Sequence, residues 1–344
     1  MQSSFNSTNE NLLANLWAKK YLKQLASNEE TSHRSLPLSD RHQIAKRLME
    51  RLRFSSSQAW TKTEALLVKE LPKHRLDINS INPWKISEDS HKLFEQACES
   101  YQRQMTPEQF SVIISPQCGQ LRQQHTTMDP RLQGFLSMQF HYTGKFLLEE
   151  LPPVERVLVA DYFKVMDDHL YMPLQRLYDA AAQLPYQAQA LVATRELLPL
   201  STQIAEFICA QVAESNPTYR CNSGRLNAPE VRTSSIRDIE MFQIYLCLCV
   251  LENNIASIQQ ELFPLCVMLY PPLNVRWSLV RQLVTGLTHE LQTRLTPASF
   301  SVFIPYLHSL HGLFSEEVFP ETETIRLTAQ SSDRPFVDYP PLAS

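Results

Sequence analysis

The chain has 344 residues, 43% hydrophobic and 20% charged, with 6 glycines against 22 prolines and a net charge of −4. That apolar fraction supplies a core and excludes disorder throughout. The scattered glycines (Gly119, Gly134, Gly144, Gly224, Gly286, Gly312) exclude a phosphate-cradling loop, and the slight negative charge gives no bulk attraction to nucleic acid or to an anionic membrane face.

Residues 1–38 are rich in Asn, Ser and Gln and read as a loosely held tail. Within it Leu12, Leu13, Leu16, Trp17 and Tyr21 share a helical face, with Lys19, Lys20 and Lys23 largely away from it. Such a segment suits peripheral contact with a membrane or a partner, or packing on its own domain. From Asp40 onward apolar residues recur at spacings of three and four and strand signals are nearly absent, so the predicted class is all-α. A helix is predicted from Ser39-Asp40 to about Phe54, carrying Arg41, Lys46, Arg47, Arg51 and Arg53, with Glu50 among them and no interleaved aromatics. That pattern favours a solvated or protein-facing helix over a phosphate-binding one. Asp129-Pro130 caps a helix over 131–151, and further helices are predicted over 153–171, 174–182, 188–213, 229–252, 255–269 and 274–295. Thr296-Pro297 repeats the cap-and-proline device before 298–314, and 318–344 is a Pro-rich tail. The Leu151-Pro152-Pro153 break divides an N-terminal helical region, 39–151, from a C-terminal helical domain, 152–317.

Seven cysteines without a CxxC pair read as reduced thiols of a cytoplasmic protein, with Cys247 and Cys249 filling the core. The N-terminus lacks the features of a secretory signal, and no apolar run reaches the ~20 residues of a membrane span. Two local clusters invite a metal reading. Asp161 and Asp168 fall on one helical face with His169 beside them; a helical metal site draws its motifs from two helices, and His141 with Glu149 or Glu150 is a candidate second contributor from the preceding helix, although their spacing is wrong for one face. The competing reading makes Asp167 and Asp168 solvated and His169 a hydrogen-bonded, partly buried imidazole. His308 and His311 are three apart, among leucines that favour helix packing.

The segment 219–245, YRCNSGRLNAPEVRTSSIRDIEMFQIY, resembles the phycobiliprotein family, the allophycocyanin subunits in particular. Arg220 and Gly224 suit that family's loop, Arg237-Asp238 match its Arg-Asp dipeptide, and Phe242 and Tyr245 keep its later aromatics. The similarity is strongest over 220–285 and continues in helix order over 185–315. It implies a globin-like helical domain and membership of an oligomer or an antenna complex. By the same resemblance Asp238 would accept from pyrrole nitrogens, Arg237 would pair with a propionate and Tyr245 would line the site. The family's thioether cysteine is Ser235 here, and a hydroxyl cannot provide the sulfur linkage. Expected from the resemblance is therefore a non-catalytic, phycobilisome-related protein acting through association with phycobilisome components, cytoplasmic or at the thylakoid surface. It has no required cofactor; the alternatives are a sensor or carrier that holds a bilin non-covalently, and a helical metal-dependent enzyme using Asp161, Asp168 and His169. For Arg237-Asp238 the purely structural alternative is an ion pair with an adjacent carboxylate and a favourable helix-dipole position.

Overall fold

The computed structural model describes residues 2–28 and 38–320, with side chains from 9–22 and 40–320. The described chain is all-α apart from one two-stranded hairpin. Helices α1 (Gln2–Asn28), α2 (Leu38–Leu67), α3 (Glu70–Lys73), α4 (Pro83–Gln102), α5 (Pro107–Thr126), α6 (Gln133–Glu149) and α7 (Pro153–Tyr171) form the first half. They are followed by α8 (Leu174–Ala182), α9 (Gln189–Leu197), α10 (Ser201–Ser215), the strands β1 (Arg220–Cys221) and β2 (Gly224–Arg225), α11 (Pro229–Glu252), α12 (Phe263–Leu269), α13 (Trp277–Arg294) and α14 (Pro297–Leu313).

Local chemistry sets most of these boundaries. Asn82 caps α4 with Pro83 at the first helical position, Thr106 and Gln109 form a capping box on α5, and Thr296 caps α14. Pro199 breaks the predicted 188–213 helix, leaving a 3-10 turn at Leu198–Leu200 between α9 and α10. Over Ile258–Leu262 the backbone widens to a π turn just before Pro264, which has no N–H to continue an α ladder. Helix α2 runs thirteen residues past the expected Phe54: Ser55 and Ser56 are buried, and Gln139 Nε2 donates to the Ser56 carbonyl at 2.9 Å and to its hydroxyl at 3.0 Å. The hairpin pairs Cys221 with Gly224, whose φ of +133° favours glycine.

Helix α2 packs on α4 and α6, while α7 packs on α4, α5 and α6. Helix α11 is surrounded by α8, α9, α10 and α14, which explains its unbroken buried run from Ile239 to Leu251. The Leu151-Pro152-Pro153 break thus separates two helices that pack on each other, and buried apolar residues from both sides of it join one cluster.

The N-terminal segment departs from expectation. It is no loose tail over its described residues: α1 lies against α5 and α8 with Leu13, Trp17 and Tyr21 buried, so the face suited to a membrane is consumed in the fold. Residues 29–37 and 321–344, which hold the end of the first tail and most of the second, lie outside the described residues.

Helix packing at Gly119 leaves no room for a side chain. A Cβ there would stand 2.5 Å from Gln175 Cβ of α8, close to a backbone that cannot swing aside, whereas a Cβ on Gly312 would meet nothing within 4 Å. Gly119→Ala should therefore lower unfolding free energy by about 2 kcal/mol. Gly312→Ala should be neutral or stabilise by up to about 1 kcal/mol, both read from denaturant melts.

Candidate functional site: a buried ionic junction

The polar residues of α7 and α11 meet in the interior, and α1 completes the meeting. Consecutive residues on a helix point about 100° apart, so Asp167 and Asp168 diverge from α7 toward different neighbours. Asp168, fully buried, receives Lys20 Nζ at 3.0 Å, Lys164 Nζ at 3.0 Å and the Tyr21 hydroxyl at 2.9 Å. Lys20 also reaches Glu240 of α11 at 2.8 Å, and the Thr202 hydroxyl donates to the same carboxylate at 2.6 Å. Trp17 Nε1 donates to the Tyr21 hydroxyl at 3.2 Å, and the Lys20 ammonium stands 4.0 Å above the Trp17 ring. Two ammonium groups thus face two buried carboxylates, a balance that burial of charge demands. Burial opposes ionisation of Asp168, yet the two lysines hold its carboxyl well below the usual range; burial and the Asp168 charge push the Tyr21 phenol up.

A second cluster adjoins it. Arg237 Nη1 pairs with Asp167 at 2.5 Å and its guanidinium lies 4.0 Å over the Tyr171 ring, while His141 Nδ1 is 3.2 Å from the same Asp167 oxygen. Despite burial, Arg237 and His141 lower the Asp167 pKa. Asp238 accepts from the Tyr171 hydroxyl at 2.9 Å and from the Tyr270 hydroxyl, and burial raises its pKa despite the neighbouring Arg237. Two buried polar atoms here have no partner, Arg237 Nε and Asp167 Oδ1. Tyr245 lies two turns further along α11, buried, its hydroxyl accepting from Arg122 Nη2 at 3.2 Å, and burial raises its pKa.

Arg237 and Asp238 therefore share Tyr171, and Tyr245 belongs to a separate contact with α5. Ser235 is half-buried on α11. The metal set is not assembled: Asp168 is occupied by cations, His169 Nδ1 donates to the Val165 carbonyl at 2.8 Å and its Nε2 meets the Ser111 hydroxyl at 3.3 Å. Burial raises the Asp161 pKa, and no group of three or more His, Cys, Asp or Glu among the described residues is placed to hold a metal ion. Asp168, expected to be solvated in the competing reading, is instead the most enclosed charge of the junction, and Lys20 turns inward. His311 bonds Thr288 at 2.9 Å, and burial lowers its pKa. The basic stretch of α2 is largely exposed, with Arg47 pairing with Glu155 and Arg51 with Glu150 at 3.5 Å.

Sequence reasoning missed Lys20, Lys164, Glu240, Tyr171 and Tyr270. The available signals were Lys164 four residues before Asp168, a helical pair spacing, and Glu240 standing inside an otherwise apolar run.

The class defined by fold and site is an all-helical protein with a buried, charge-balanced junction of three helices. Compared with known proteins, the chain matches no family model, no curated protein and no solved structure.

Removing one cation from the junction leaves a carboxylate buried and under-compensated, so Lys20→Met should cost about 3 kcal/mol of stability. Asp238→Asn, which removes a charge that burial disfavours and keeps an acceptor for the two tyrosines, should be neutral or stabilising at pH 7. Chemical denaturation of both variants decides. The acid limb is a separate matter. Burial lowers the His169 pKa from 6.5 to about 4, so the unfolded chain takes up this proton first and stability is lost as pH falls through that window, by at most about 3 kcal/mol. The contributions of Asp167 and Asp168, whose folded pKa values are depressed, are present above about pH 4 and are lost below it. His169→Gln should flatten the stability profile between pH 6.5 and 4 and leave the steeper fall below pH 4 in place.

Proposed function

We propose that the protein is a non-catalytic, phycobilisome-related association protein whose C-terminal half is a degenerate, globin-like relative of the phycobiliproteins. The observation that carries this reading is the closure of Arg237 and Asp238 on Asp167, Tyr171 and Tyr270 of the same chain. The groups that the resemblance assigns to a pigment's propionate and pyrrole nitrogens are engaged by protein, and Ser235 offers no thioether. Two open grooves of about 500 and 480 Å³ lie elsewhere, one between α10 and α13 and one where Leu12 and Leu16 of α1 face Tyr186, Val192 and Arg195. A dipeptide retained as an internal tie between α7 and α11 fits a domain that keeps a shape for partners after losing a ligand.

A second reading, non-covalent bilin binding, draws on the unpaired Arg237 Nε and Asp167 Oδ1, which leave polar capacity beside a half-exposed His141.

Two measurements separate the readings. Affinity capture from a phycobilisome-containing lysate should retain antenna components, identified by their own absorption, in amounts comparable to the bait; retention of none counts against association. Co-expression with a bilin-producing pathway should give a colourless protein. Colour extracted by denaturant would shift the assignment to the second reading, and colour surviving denaturation would contradict the assignment of Ser235.

A further inference from the structure

We propose that the corner formed by the α2–α3 turn, the start of α4 and the end of α5 is a docking surface for an anionic lipid bilayer. The fold itself brings this corner together. Helices α4 and α5 follow one another with a four-residue turn and are tied at their far ends by His125 of α5, 2.8 Å from Asp89 of α4. Trp84 lies five residues before Asp89 and Met128 three residues after His125, so both stand at the same end of the pair. Arg131 Nη1 donates to the His74 carbonyl at 2.7 Å, tying the turn after α5 to the residue after α3. Ile78 belongs to the 3-10 turn, Ile78–Ser80, that leads into α4.

The exposed side chains at this end are the wrong kind for contact with water alone. Trp84 is 86% exposed, Met128 79% and Ile78 61%, and Val68 at the end of α2 is exposed as well. Around them stand Lys69, Lys73, Arg75 and Lys85; Lys73 pairs with Glu70 at 2.7 Å and Lys85 with Asp89 at 3.0 Å, which leaves Lys69 and Arg75 as the uncompensated cations of the corner. Lys69 and Arg75 are exposed and have no ion-pair partner among the described residues.

Protrusion and charge together select a bilayer over a protein partner. An aromatic anchor of a protein interface sits within a packed surround that excludes water once the partner binds. A Trp with nearly nine-tenths of its surface free, beside Met and Ile on turns, has the geometry for insertion among headgroups, where Trp is favoured. The unpaired cations beside it are attracted to anionic lipid over a distance set by ionic strength. No helix among the described residues is long and apolar enough to cross a membrane, so the contact is peripheral.

The test is co-sedimentation of the full chain with vesicles of phosphatidylcholine alone or with 30–40% phosphatidylglycerol (about a third anionic, to give a strong surface potential). Binding should be at least tenfold stronger to the anionic vesicles and should fall as salt is raised. It should be accompanied by a blue shift in tryptophan emission. Trp84→Phe should bind with little loss but without that shift, because Trp17 is buried and Trp60 and Trp277 are half-buried in the core. Trp84→Ser with Ile78→Ser, and separately Lys69→Glu with Arg75→Glu, should each weaken binding at least tenfold while thermal melts stay unchanged, since all four side chains are exposed. Vesicle binding that these variants leave intact, or no binding to either vesicle, overturns the proposal, as does Trp84-dependent capture of an antenna protein without vesicle binding.

Discussion

The contact on which the rest of the molecule depends is the Lys20 ammonium placed between Asp168 of α7 and Glu240 of α11. Without it, two carboxylates from different helices would be buried with only Lys164 beside Asp168. The repulsion and lost hydration would drive α7 and α11 apart or admit water between them. A buried ion pair of this kind is weak evidence of net stabilisation, because desolvation offsets most of its attraction. What it sets is register. Lys20 reaches both carboxylates only when α1 lies at one height along α7 and α11, and Trp17 one turn before it and Tyr21 next to it fix that height by packing and hydrogen bonding. The first helix is thereby an integral part of the fold.

The same logic extends to the neighbouring cluster. Arg237 is tied to α7 through Asp167 and stacked on Tyr171, so the pair of consecutive aspartates on α7 is read twice by α11, once through its own arginine and once through a lysine of α1. Asp238 stands apart, because it receives hydroxyls and no direct cation bridge, and its raised pKa records the cost. On the proposed reading, such a carboxylate is what a lost ligand site would leave once tyrosines close over it. That is the sense in which the C-terminal half is proposed to be degenerate.

How far the sequence discloses this depends on the range over which each signal acts. The helical class follows from apolar spacing, and the cap at Thr296 acts within three residues and is legible as written; the caps at Asn82 and Thr106 act over the same range, although α4 and α5, which they start, are not among the predicted elements. The continuation of α2 past Phe54 is not, because Ser55 and Ser56 are poor helix formers made acceptable by Gln139, which lies more than eighty residues away. The junction fails for the same reason. Lys20 looks like the polar side of an amphipathic helix until Glu240, 220 residues later, supplies its partner. Asp168 looks solvated or metal-binding until two lysines are placed on it. Charge balance across distant elements leaves no periodic trace.

An amphipathic pattern also does not say which surface it will cover. Leu13, Trp17 and Tyr21 form the stripe most suited to an interface, and the fold spends it on α5 and α8. Ile78, Trp84 and Met128 form no stripe, since they come from a 3-10 turn, the first turn of α4 and the turn after α5, and only tertiary packing gathers them. The chain's weak negative charge likewise hides local cations such as the unpaired Lys69 and Arg75, because averaging over 344 residues cancels them. Surface function in a helical protein of this kind is therefore sought where helix ends converge, since the helix faces are occupied by one another.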